Sequence, residues 1–153
     1  MQIKKILNSK EAREIERILE ENYGCKFRLR DFIVLLTADD KVWICSRDLA
    51  KIDLKCLRRV NAIGLYFGKI KRNRKIQLSI EGSMLVGKTA KKNVALIKDV
   101  EDYMKGKDVF TDCKNCEKNN FVIVKYGNDF LGCGVLREGG RIENILPKSR
   151  KMV

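Results

Sequence analysis

The chain has 153 residues, 44% of them hydrophobic, enough for one large or two small domains with a buried core, so disorder is not its default state. Its 33 Lys and Arg against 20 Asp and Glu give a formal net charge of +13, with no histidine. The missing histidines remove the usual general base and the Ser/His and Cys/His nucleophile pairs, which points away from an enzyme. No apolar run approaches the ~18 residues of a membrane helix, and Met1 to Leu7 lacks an apolar signal-peptide core. A cytoplasmic protein, without membrane contact, is therefore expected.

In chain order, Asn8 or Ser9 can cap a first helix, and Glu11 stands at capping-box spacing from Asn8. Ala12, Ile15, Ile18 and Leu19 then share one helical face, and Gly24 ends the helix. Phe32–Leu36 and Val42–Cys45 flank Ala38-Asp39-Asp40, a hairpin signal. Ser46 and Asp53 can cap short helices, the second running to about Val60. Ala62–Ile70 is rich in strand formers. Lys75–Ile80 alternates, with Ile76, Leu78 and Ile80 toward a core and Gln77 and Ser79 outward. Between these strands the tip carries Lys69, Lys71, Arg72, Arg74 and Lys75, five cations in seven residues.

A second body begins near Gly87. Asn93–Ile97 reads as a strand and Asp99–Lys105 as a short helix ending at Gly106. Asp112–Asn120 is loop-like. Phe121–Val124 and Leu131–Leu136 are strands around a Gly127-Asn128-Asp129 turn, and Arg141–Leu146 is the last. Short strands joined by glycine turns suggest a small barrel.

Charge is uneven along the chain. Residues 61–92 carry net +7, from 8 basic residues and 1 acid. Further basic clusters are Lys55, Arg58 and Arg59; Lys88, Lys91 and Lys92; and Lys148, Arg150 and Lys151. Like cations repel unless a polyanion sits on them, so a nucleic acid is the expected partner. The competing reading is a solvated, lysine-rich surface.

Two motifs need weighing. Gly82 to Thr89 spells the phosphate-binding G-x-x-x-x-G-K-S/T loop. Its variable positions are bulky Met84, Leu85 and Val86, and too little chain follows for a parallel nucleotide-binding sheet. No nucleotide site and no cofactor are expected. Cys113-Lys114-Asn115-Cys116 is a lone C-x-x-C. Without histidine it lacks partners for a four-ligand zinc site. Plain reduced thiols are expected for all six cysteines and no metal is assigned, with metal and disulfide as the alternatives.

The run Val60 to Ile70, with its Phe67-Gly68-Lys69 step, followed by Arg74 to Ile80, resembles the ribosome-assembly proteins of the Nip-seven type. Lys41 to Ser46 is similar to that family's earlier strand. Phe121–Val124 and Leu131-Gly132-Cys133-Gly134-Val135 resemble the strand pair of its C-terminal PUA domain. The tail from Leu136 to Lys151 looks more like PUA tails fused to cytosine-5 RNA methyltransferases. The resemblance implies an α+β protein: an N-terminal α/β pre-PUA domain at 1–86 and a PUA pseudo-β-barrel at 87–153.

It further implies a non-catalytic RNA-binding protein acting on rRNA in ribosome assembly, or in rRNA processing or modification, with ribosome-assembly proteins as possible partners. The alternative is a protein–protein adaptor in such a complex, its basic surface non-functional. The expected phosphate-binding face is Arg137, Arg141, Lys148, Arg150 and Lys151. The tip cations Lys71, Arg72 and Arg74 form the second candidate face.

Overall fold

A computed structural model describes residues 3–47 and 64–152. The Asp53 helix and the Lys55, Arg58 and Arg59 cluster lie outside the described residues, as does Cys56. Among the described residues, ten strands form two five-stranded sheets.

The first sheet comprises β1 (Ile3–Ile6), β2 (Ile33–Thr37), β3 (Lys41–Cys45), β4 (Leu65–Lys71) and β5 (Lys75–Leu78), in that spatial order and antiparallel throughout. Helix α1 (Ser9–Tyr23) packs on one face. Its start is the expected capping box: the Glu11 amide donates to the Asn8 side chain and the Asn8 amide to the Glu11 carboxylate, satisfying two otherwise orphaned donors. Ala12, Ile15, Ile18 and Leu19 are all buried, and Gly24 caps the C-terminus. They meet Val42, Ile44, Phe67, Ile76 and Leu78, the inward residues of the sheet.

The strand after the basic tip is shorter than the alternation predicts. Ser79 leaves the ladder because its side chain accepts from the Gly82 amide and starts helix α2 (Ile80–Gly87). Ile80 thus opens a helix instead of closing a strand. The nucleotide-loop lookalike is mostly this helix. A Cβ on Gly82 would stand 2.1 Å from the Phe67 carbonyl oxygen, and one on Gly87 would stand 2.4 Å from the Phe130 ring. Neither contact is tolerable, so both motif glycines are explained by close packing of α2.

The second sheet has the order β6-β8-β9-β10-β7. Its strands are β6 (Val94–Leu96), β7 (Val109–Phe110), β8 (Phe121–Tyr126), β9 (Asp129–Leu136) and β10 (Arg141–Asn144). Strand β6 runs parallel to β8, and the other pairs are antiparallel. The sheet curls until its edges meet: the Thr111 hydroxyl, just after β7, donates to the Leu96 carbonyl at 2.8 Å. Helix α3 (Val100–Met104) sends Tyr103, fully buried, into the core of this sheet. Strand β7, only two residues long, was not predicted, and β10 stops two residues short of Leu146.

The two halves share a core. Ile123 and Cys133 of the second sheet join the cluster under α1. Tyr23, fully buried, donates its hydroxyl proton to the Ile76 carbonyl at 2.7 Å and lies 3.6 Å from the Cys133 sulfur. Burial pushes the Cys133 thiol up to about 11 and raises Tyr23 well above its ordinary value. Asn93 donates to the Asn22 carbonyl, and the Gly132 amide donates to Ser83 at 2.8 Å.

The expectation of six reduced thiols needs correction. Cys113 and Cys116 are joined in a disulfide, whereas Cys25, Cys45 and Cys133 are free and buried. The turn of the 111–120 loop brings the two Cα atoms to 5.8 Å, inside the range a disulfide spans. Among the described residues, no group of three or more Cys, Asp or Glu could hold a metal, and no helix is long and apolar enough to cross a membrane.

Candidate nucleic-acid interface

The β4–β5 hairpin projects the first basic region. Lys71 pairs directly with Lys75 across the ladder, placing two cations side by side, an arrangement that is repulsive without an anion. Arg72 and Asn73 are exposed at the turn. Asn73 and Arg74 both adopt left-handed backbone, φ 60° and 56°. Asparagine tolerates that well; arginine does so at a cost of roughly 1–2 kcal/mol. Its surroundings hold it there. The Asn22 amide donates to the Arg74 carbonyl at 2.8 Å. The guanidinium donates to Glu21 at 2.9 Å through Nε and Nη2, and to Glu14 at 2.6 Å through Nη1.

These carboxylates raise the Arg74 pKa, Glu21 first and then Glu14, and are lowered in return. Arg74 is therefore a tie between tip and helix α1. Among the described residues Lys71 and Arg72 make no ion pair, so they remain available to an anion.

The register extends this region over the sheet surface. Lys41 faces Lys69 across β3–β4, and Lys69 faces Gln77 across β4–β5. Two-residue periodicity then sets Lys41, Lys69, Lys71, Lys75 and Gln77 on one face, opposite the face covered by α1. Tyr66 and Trp43 share it, with ring centroids 5.2 Å apart. The Lys41 ammonium lies 5.9 Å from the Tyr66 ring centre and 3.4 Å from Asp39. Sequence reading assigned no role to Lys41, Tyr66 or Gln77. Their only signal is cross-strand register, which a linear reading does not contain.

The second region divides. Arg137 and Arg141 flank the turn at the start of β10. Arg137 donates to Asn119 and Glu143, each at 3.1 Å, and Arg141 to Asp108 at 2.7 Å. The Asn144 amide and then the Arg141 guanidinium hold the Asp108 carboxyl below its usual range. Beyond the far end of β10, a 3-10 turn carries Lys148, Ser149 and Arg150. Arg150 donates to Glu81 at 2.8 Å. Lys151 lays its stem over Gly106, and the Met152 amide donates to the Met104 carbonyl at 2.7 Å. Lys148 and Lys151 make no ion pair among the described residues.

The five tail cations thus occupy two places, not one. Tip and tail are separated along β5, since about four residues from Lys75 to Ser79 span roughly 13 Å. Between them opens a cleft of about 130 Å³. Tyr66, Gln77 and Ser79 form its first-sheet wall; Gly132, Pro147 and Arg150 are among those lining the other side.

The NIP7/UPF0113 pre-PUA domain family matches residues 4–80, the first sheet with α1 and the basic hairpin. The PUA domain of the methyltransferase RsmF matches residues 97–152, from the end of β6 through the tail. No curated protein matches the chain. Pre-PUA and PUA units follow one another in an α+β architecture whose second sheet is a curled half-barrel. With half its length matched by that first domain, the chain belongs to the NIP7/UPF0113 pre-PUA family.

Proposed function

We propose that this protein binds rRNA during ribosome assembly or rRNA processing, without catalysing a reaction. The observation that carries the reading is the set of lysines with no ion pair among the described residues. Lys69, Lys71, Lys75, Lys148 and Lys151 stand exposed or half-buried on the pre-PUA sheet and the PUA tail. Arginines Arg74, Arg137, Arg141 and Arg150 are by contrast held in ion pairs. The single pairs of Arg137, Arg141 and Arg150 are exposed, each worth little on its own, so a phosphate can exchange with a carboxylate there, whereas two carboxylates hold Arg74 in place. The family membership and the PUA match support the same reading. Lysines acting as point charges position a phosphate backbone without reading its sequence.

The test is filter binding of the full chain to structured rRNA at two salt concentrations. Affinity falling steeply with salt, by counterion release, is the expected result. Salt-independent or absent binding would overturn it.

One observation favours a protein partner as a second reading. Leu96 and Phe110 are 60% and 66% exposed on the meeting edges of the second sheet. Asp99, Asp102, Asp108 and Asp112 surround them with Lys98, Asp102 being paired with Lys107 and Asp108 with Arg141. An exposed apolar patch whose rim carries more aspartates than cations suits a protein surface better than RNA.

A further inference from the structure

We propose that the cleft between the two halves receives a single unstacked base of single-stranded RNA. This rests on the RNA-binding reading and adds to it a place where RNA is held by more than charge. Three observations converge there.

The first is position. The lysine face of β4 and β5 leads along Lys75 and Gln77 into one wall. The opposite wall contains Pro147 and Arg150, beside exposed Lys148. A strand whose phosphates touch both cationic regions must cross the cleft. The second is size. At about 130 Å³ the space is well below the ~300–1,000 Å³ of pockets for larger ligands. It suits one planar ring, not a stacked pair.

The third is chemistry. Tyr66, Leu146 and Pro147 give apolar and aromatic surface for a ring face, and stacking on an aromatic side chain tolerates any base. Gln77 supplies an amide with no hydrogen-bond partner among the described residues, able to donate and accept at a base edge. Ser79 is committed already: its hydroxyl donates to the Tyr66 carbonyl at 2.6 Å and accepts from the Gly82 amide. Glu81 and Arg150, the charged side chains of the lining, are paired with each other at 2.8 Å, which leaves Gln77 as the edge reader. A duplex keeps its bases stacked inside and cannot use the site.

The test uses the full chain and a short labelled oligouridine, with an abasic residue placed at each position in turn. The phosphates stay, so charge interactions are unchanged. One or two abasic positions should each weaken binding about tenfold, the scale of losing one stacked base. Tyr66→Leu should weaken the intact RNA to the same extent. It should bind intact and abasic RNA equally, because the base has no site left to enter. Tyr66→Phe, which keeps the ring, should retain the preference. Should Tyr66→Leu fold poorly, Gln77→Ala serves, with a smaller loss confined to base-bearing RNA.

If oligouridine binds with normal salt dependence but no abasic position costs more than about twofold, the cleft assignment is wrong and RNA binding stands. The same holds if Tyr66→Leu and Gln77→Ala discriminate like the wild type. If no RNA binds even at low salt, both fall together.

Discussion

The hairpin tip and the C-terminal tail are both cationic, yet they are built differently. At the tip one arginine, Arg74, is tied to two glutamates and to Asn22 of α1. The tie holds the turn in a left-handed conformation and leaves its neighbours Lys71 and Arg72 without ion pairs among the described residues. At the tail, Arg150 makes a single pair with Glu81, and the Met152 amide ties the backbone to Met104. The difference teaches that a paired arginine shapes each surface and leaves the cations beside it, Arg72 included, without ion pairs among the described residues. The tip is also tied through two carboxylates where the tail has one.

The largest perturbation strikes what the two regions share. Tyr23 lies where α1, β5 and β9 meet. Tyr23→Ala should destabilise the protein by about 3–5 kcal/mol, the usual cost of deleting a large buried aromatic. Denaturant unfolding measures it, and a loss under about 1 kcal/mol, the typical effect of an ordinary substitution, would mean tip and tail stand on independent supports.

Next in size is reversal of Lys148, Arg150 and Lys151 to Glu. Removing one cation that neutralises a single-strand phosphate lowers the salt slope by about 0.7. Reversing these three should therefore take away about 2 of the slope, with little change in melting temperature. Reversal of Lys71 and Arg72 should remove somewhat more than about 1 by the same rule. If the tip variant fell further than the tail variant, the tip would be the principal phosphate-binding face and the ranking would invert.

Smaller still, Arg74→Ala should lower the melting temperature slightly and leave the salt slope nearly unchanged, separating a tie from a phosphate ligand. A drop in slope equal to that of the Lys71 and Arg72 variant would make Arg74 a ligand instead.

The smallest effect is a pH trend. Cys133 has a folded pKa of about 11 against an ordinary 9.0, because burial penalises the thiolate. Above pH 9 the unfolded chain releases this proton while the folded one keeps it, so stability falls as pH rises. The contribution is complete below about pH 9 and gone above about 11; Tyr23 acts in the same direction. Cys133→Ala should flatten thermal melts over that window, and an unchanged slope would assign the alkaline loss to other groups.

Much of the fold was legible because it is local. The Asn8 capping box, the α1 face and the hairpins around Asp39 and Asn128 are all written within a few residues. What stayed hidden depends on distant partners. The parallel pairing of β6 with β8, the entry of Cys133 into the core under α1, and β7 all arise only when the chain closes. Gly82 and Gly87 imitated a phosphate loop because tight packing and phosphate cradling call for the same small residue. The candidate surface was half legible. Its cations were visible as clusters, but the division of the tail by β10 and the row from Lys41 to Gln77 required register.

The shared core also bears on how the chain is made. The cluster beneath α1 is completed by Ile123 and Cys133, residues synthesised after the whole of the pre-PUA segment. During synthesis the pre-PUA segment is therefore a nascent domain with an open flank: Tyr23 can reach Ile76 early but Cys133 only late. A ribosome-bound chain stalled before β8 should be cut readily by protease within the first sheet, and one stalled well beyond β10 should resist. On this account the lysines of β4 and β5 gain their fixed arrangement only once β8 and β9 have been made, which couples the order of that surface to synthesis of the second sheet.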